Sequence, residues 1–162
     1  MADRALHVYL NDHLAGAMVG SDLADRIRRQ HEGTPLGDVM GQIAPQIEED
    51  RQTLLMLMER MGASKNPIKQ ATGWAAEKAG HVKFSGMLTG EPEHGAFMAL
   101  ESVALGVEGK AGLWRALKEV ADEYPELRAT DLDDLIRRAE VQRATLERER
   151  LAAGRRALTH DR

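Results

Sequence analysis

Hydrophobic residues recur at steps of three and four along most of the chain, which is the spacing of one face of an α-helix. The clearest run is IAPQIEEDRQTLLMLMERM, where the apolar stripe contains Ile43, Ile47, Leu54, Leu57 and Met61. Asp50 lies in the same stripe. A carboxylate on a core face must be hydrogen-bonded, paired or metal-bound, because its burial alone is costly. The pattern therefore predicts a helix whose inner face carries one acidic group.

The same periodicity predicts five helices, at about 3–29, 35–61, 66–84, 94–124 and from 130 to near the C-terminus. Thr34 is the expected N-cap of the second helix and Pro35 its first residue. Pro45 predicts a kink near Gly41. His13 in the first helix and Gln142 in the last also fall on inner stripes, so three polar residues are expected to face the core.

Two runs of small residues interrupt the first and fourth predicted helices. They comprise Ala15, Gly16, Ala17 and Gly20, and Gly106, Gly109 and Gly112. Glycine inside a helix costs about 1 kcal/mol relative to alanine. We therefore expect both runs to mark places where helix backbones approach closely.

Composition narrows the possible functions. The chain has 162 residues, 43% of them hydrophobic and only 4% aromatic, which favours one all-α domain over residues 1–162. A net charge of −4 predicts neither nucleic-acid nor membrane-surface binding. Cysteine is absent, so thiolate chemistry is excluded. No secretory signal or long apolar segment is evident, so a cytoplasmic protein is expected, and the abundance of Arg, Ala and Gly suggests a bacterial source.

The inward polar residues are predicted to share a level. If the first two helices form an antiparallel pair, His13 and Asp50 lie at similar height, within about two turns. The same reasoning places Glu108 and Gln142 together on the last pair. All four meet only if the third helix crosses back along the bundle.

This arrangement resembles the ferritin-like bundles, which have four long helices and a long crossover between the second and third. The segments YLNDHLAG, WAAEK and GVEGK are also similar to uncharacterised bacterial proteins of that class. The resemblance implies an all-α, ferritin-like antiparallel four-helix bundle, with the 66–84 helix as an additional shorter crossover. No activity comes with it.

The ferritin-like metal motif is degenerate here. Di-iron members carry one Glu on two helices and Glu-x-x-His on two others. In this chain the second helix offers Glu49-x-x-Gln52 or Asp50-x-x-Thr53, the last offers Glu140-x-x-Arg143, and both motif histidines are absent. The remaining candidate metal ligands are His13, Asp50, Glu108 and Gln142, with Glu101 as a weaker one.

Two functions are consistent with these observations. The favoured one is a non-enzymatic helical protein that acts through association, most simply as a homodimer, in which the polar layer is a hydrogen-bonded core network. The alternative is a metal-binding oxidase or iron-handling protein that uses the candidate ligands for iron, manganese or zinc. If no metal is bound, His13 is expected to be hydrogen-bonded to Asp50.

Overall fold

The computed structural model describes residues 2–63 and 92–159, and these ranges are almost entirely helical. We number the α-helices in chain order and refer to the longest four as the bundle helices. They are α1 (Ala2–Gln30), α2 (Pro35–Arg60), α3 (Pro92–Glu119) and α5 (Leu132–Leu158), with a 3₁₀ turn (Ala121–Glu123) and the short α4 (Pro125–Arg128) between α3 and α5. The all-α class is confirmed. The crossover helix predicted at 66–84 lies outside the described residues.

The bundle helices begin and end where local chemistry favours it. Thr34 caps α2 by accepting a hydrogen bond from the Gly37 backbone N–H at 3.2 Å, and Pro35 occupies the first turn, as predicted. Asp131 caps α5 in the same way through the Asp134 N–H at 3.0 Å. Gly62 follows α2 with φ +64°, which glycine adopts without strain.

The core consists of two hydrophobic clusters at opposite ends of the bundle. The first contains Leu10, Leu57, Leu117 and Leu132, and the second contains Ile27, Leu36, Leu100 and Ala153. Each bundle helix contributes to both clusters, so the clusters also give the direction of each helix. By this criterion α1 and α5 run one way, whereas α2 and α3 run the other way. The two hairpins α1–α2 and α3–α5 make the closest helix pairs.

Two sequence expectations about the fold are wrong. The helix predicted to reach Tyr124 ends at Glu119, because the chain leaves α-geometry through the 3₁₀ turn before Tyr124 becomes extended (φ −130°, ψ 113°) ahead of Pro125. The glycines do not mark close backbone contacts. A Cβ added at any of four of them would meet nothing within 4 Å; these are Gly20, Gly106, Gly109 and Gly112.

Pro45 lies inside α2, which continues through it from Pro35 to Arg60. Residue 45 is exposed, so its ring lies on the solvent side of the helix. In the described ranges, no helix is both long enough and apolar enough to cross a membrane.

Candidate functional site: a charged layer in the core

Asp50 lies at the middle of the bundle, between the two hydrophobic clusters. Its neighbours in the α2 stripe are Ile47, which belongs to one cluster, and Leu54, which belongs to the other. The residue is 1% exposed, so the prediction that a carboxylate faces the core is confirmed. A group in this position needs donors from the neighbouring helices, since water does not reach it.

Four donors from two other helices bond to the Asp50 carboxylate. Its Oδ1 accepts from Nε of Arg138 at 2.8 Å and also from Nη2 of the same guanidinium. Its Oδ2 accepts from Nζ of Lys110 and from Nε2 of Gln142, the latter at 3.3 Å. A carboxylate has about four acceptor positions. The acceptor capacity of Asp50 is therefore filled by groups of the protein itself.

Further side chains connect the Asp50 hydrogen bonds to the surface of α2. Gln142 is fully buried, accepts a hydrogen bond from Lys110 Nζ at 2.5 Å and donates one to Gln46 Oε1 at 3.2 Å. Arg138 also donates from Nη1 to Glu49 Oε2 at 2.9 Å. We call these six residues the charged layer: Gln46, Glu49, Asp50, Lys110, Arg138 and Gln142.

The charges of this layer nearly cancel. Two cations face the single buried carboxylate of Asp50, and Glu49, whose side chain is 65% exposed, supplies a second negative charge at the edge. Burial lowers the pKa of Lys110, and the adjacent Asp50 carboxylate opposes that shift. The ammonium therefore depends on Asp50 for its charge to be tolerated at this depth.

His13 does not bond to Asp50, although it is at the expected level. The His13 ring packs edge-on against Tyr9, with 4.6 Å between ring centroids, and no hydrogen bond connects these two described residues, His13 and Asp50. Both do line one pocket between the helices. Burial lowers the pKa of His13, while Asp12 opposes that shift. The expectation of a His13–Asp50 hydrogen bond is wrong, because Arg138, Lys110 and Gln142 already fill the carboxylate.

The structure does not bring the two candidate glutamates into the layer. The Glu108 side chain is 53% exposed and pairs with Arg115 at 3.5 Å and Arg143 at 3.2 Å. Glu101 pairs with Arg150 at 2.9 Å. Of the predicted ligands, only Asp50 and Gln142 touch each other.

The charged layer does not fit a metal ion. Among the described residues, Asp50 is the only buried carboxylate, and its oxygens face an ammonium and a guanidinium, which would repel a cation. Within residues 2–63 and 92–159, no group of three or more His, Asp or Glu side chains is arranged to hold a metal. An ion at this level would have to displace Lys110 or Arg138.

Sequence reasoning missed both cations of the layer, although a signal for them exists. Lys110 continues the three-and-four stripe of α3, which includes Val103, Val107, Trp114 and Leu117. Arg138 lies three residues after Leu135 and four before Gln142, at the edge of the α5 stripe. A basic residue on a core stripe, opposite an acidic one on another helix, predicts an ion pair across the bundle.

Comparison of the chain with protein-family models, with curated proteins and with solved structures finds no match. The site is therefore interpreted from its own geometry.

Proposed function

We propose that this chain is a ferritin-like bundle protein whose central layer works without a metal, and that it acts through association rather than catalysis. The fold part of the proposal is supported by the helix directions, because α2 and α3 are parallel. Ala63 packs in the cluster at one end, whereas Phe97, near the start of α3, packs against the other. A chain path with these ends agrees with the crossover of ferritin-like bundles.

The observation that carries the proposal is the bonding of Asp50. In a di-metal bundle the inward carboxylates leave oxygens open for ions, whereas here every acceptor position of Asp50 is occupied by Lys110, Arg138 or Gln142. Two side-chain cations take the place that positive ions would have. This arrangement supports a core network and gives no support to oxidase or iron-handling chemistry.

Association is supported by a different face of the molecule. Leu151 and Leu158 are 57% and 64% exposed and lie seven residues apart on α5, and Ala144, seven residues earlier, is exposed as well. A seven-residue apolar repeat returns to the same face of a helix and is the pattern of a helix–helix seam. We propose a homodimer that pairs this face of α5 with the same face of a second copy.

Metal analysis tests the first part. Protein purified without a histidine tag is expected to hold less than about a tenth of an equivalent of iron, manganese or zinc, before and after reconstitution. Stoichiometric uptake would refute the metal-free layer. If the uptake of metal were also lost in Asp50→Asn, the metal-binding alternative would replace the proposal. Its ligands would be His13, Asp50, Glu108, Gln142 and Glu101.

Light scattering after size-exclusion chromatography tests the second part. We expect a dimer for the unmodified chain and a monomer for Leu151→Glu, because a charge in an apolar seam is desolvated without a partner. Met56→Glu is the matched control, since Met56 is 55% exposed but lies on α2 and not on α5. A monomeric unmodified chain, or equal effects of the two variants, would refute pairing through this face.

A further inference from the structure

Glycines from the runs of α1 and α3 line a pocket that Asp50 and Lys110 of the charged layer also line. It has a volume of about 480 Å³ and is lined by residues of α1, α2 and α3. Gly16 and Gly20 line it from α1, and Gly106 and Gly109 from α3. A Cβ at Gly20, Gly106 or Gly109 would meet no atom within 4 Å, so the absence of side chains leaves space open. The volume lies within the range of small-molecule sites, which is about 300–1,000 Å³.

A buried donor without an acceptor belongs to the lining of this pocket. Trp114 is 1% exposed, and its Nε1–H has no hydrogen-bond partner among residues 2–63 and 92–159. An unmade bond of this kind costs about 1–3 kcal/mol, so a buried indole N–H normally has an acceptor. This unsatisfied group is independent of the glycine runs and points to a ligand that supplies an acceptor oxygen.

The ionisable side chains in the pocket lining have both signs: Lys110 and Arg51 are basic, whereas Asp12 and Asp50 are acidic. The Lys110 ammonium has three N–H bonds, of which two are used for Asp50 and Gln142, and its side chain keeps 13% exposure. The acceptor positions of Asp50 are already full, so the centre of the layer cannot receive a further donor. Glu49 pairs with Arg138 at the edge of the layer, so Lys110 is the cation of the layer that lines the pocket. An anionic head group would complete this end of the pocket, and the remaining lining is mostly apolar.

We propose that the pocket binds an apolar monocarboxylate, with its carboxylate directed at Lys110 and the Trp114 N–H and its hydrocarbon body along the glycine-lined walls. The ammonium and the indole supply the two kinds of donor that a carboxylate accepts, and the glycines supply room for the chain. This proposal does not depend on the oligomeric state of the protein.

Decanoate is the probe for this proposal, and Trp114 is the reporter. The chain contains two tryptophans, so Trp74→Phe leaves Trp114 alone. Titration of this variant with sodium decanoate is expected to give a saturable change in tryptophan emission, with a matching calorimetric isotherm. Decylamine has the same length and the opposite head-group charge, and it is expected to bind at least about tenfold more weakly. Equal binding of the two, or no saturable binding of decanoate, would overturn the proposal.

A matched pair of glycine variants on α3 tests the location. Gly106→Leu places a side chain in the pocket, whereas Gly112→Leu places one outside it, and a Cβ at either position is free of contacts. We expect Gly106→Leu to weaken decanoate binding about tenfold and Gly112→Leu to change it less than about twofold. Gly109→Leu serves as a second pocket-filling variant if Gly106→Leu does not fold. Equal affinity in pocket-filling and control variants would show that decanoate binds elsewhere.

Discussion

Replacing Asp50 by alanine tests whether the charged layer is a closed network. The substitution removes the acceptor of four hydrogen bonds and leaves the Lys110 ammonium and the Arg138 guanidinium facing each other without an intervening carboxylate. Both cations are carried by helices that pack against each other, α3 and α5. We therefore expect the unfolding free energy to fall by much more than the loss of one side-chain contact would explain.

The magnitude follows from the burial of the partners. Removal of one member of a buried ion pair costs about 3–5 kcal/mol. The Lys110 and Arg138 side chains keep 13% and 23% exposure, so water relieves part of the penalty and the lower end applies. We expect a loss of about 3 kcal/mol, which for a chain of this size is a decrease in Tm of about 6 to 12 °C.

Glu49→Ala is the matched control, because Glu49 precedes Asp50 in the sequence and pairs with the same guanidinium. Its side chain is 65% exposed, so its removal should cost at most about 1 kcal/mol. Urea unfolding followed by circular dichroism measures both variants, and an unchanged m-value checks that the two-state comparison is valid. If the two substitutions lowered stability equally, Asp50 would be hydrated and the closed network refuted.

A double variant and a pH series identify the cause of the loss. Asp50→Ala combined with Lys110→Met should be more stable than Asp50→Ala alone, because the unpaired ammonium is gone. In Asp50→Ala itself, the lowering of the Lys110 pKa by burial is no longer opposed. The unfolded chain then binds a proton that the folded chain lacks between that lowered pKa and 10.5, so stability should rise with pH in this window. A flat profile would show that Lys110 moves into solvent.

Two further predictions concern α2. The hydrogen bonds from Arg51 are the largest cause that lowers the pKa of Glu48 from 4.5 to about 2, so this group's stabilisation is present above pH 4.5 and is lost as the pH falls to about 2. Acid titration of stability should be less steep for Glu48→Gln in that window, and identical slopes would refute this. Gly37→Ala would place a Cβ 1.9 Å from the His31 carbonyl oxygen and should cost about 1–3 kcal/mol by urea unfolding. Gly41→Ala, which meets nothing within 4 Å, should instead stabilise by about 0.4–1 kcal/mol, so the opposite order would contradict the packing of the α1–α2 turn.

The helices could be predicted because each one carries a long stripe and a cap. The Thr34–Pro35 start of α2 and the acidic first turn of α5 are local signals, and the structure confirms both. The glycine runs were interpreted wrongly because glycine permits either a close neighbour or an open space. Only the separation of α1 and α3, which depends on the whole bundle, decides between the two.

The candidate site was predicted in part, and helix geometry explains which part. Asp50 and Gln142 continue the three-and-four steps of their stripes and are buried. Glu108 is two residues from Lys110, which is about 200° around the helix, so only one of the two can face the core. Lys110 is the one on the stripe. His13 precedes Leu14, which is buried, and thus falls at the edge of the α1 stripe.

The position of the charged layer, with an apolar cluster on either side, fixes the axial register of the bundle. Sliding α5 by one turn, about 5.4 Å, would bring Leu146 to the height now held by Gln142 and would move Arg138 away from Asp50. This shift would leave Lys110 of α3 as the cation facing the carboxylate. Leucine-rich faces alone permit several such offsets at small cost, whereas a carboxylate that must find its donors accepts one. The layer therefore selects a single alignment of the helices from the several that hydrophobic packing would allow.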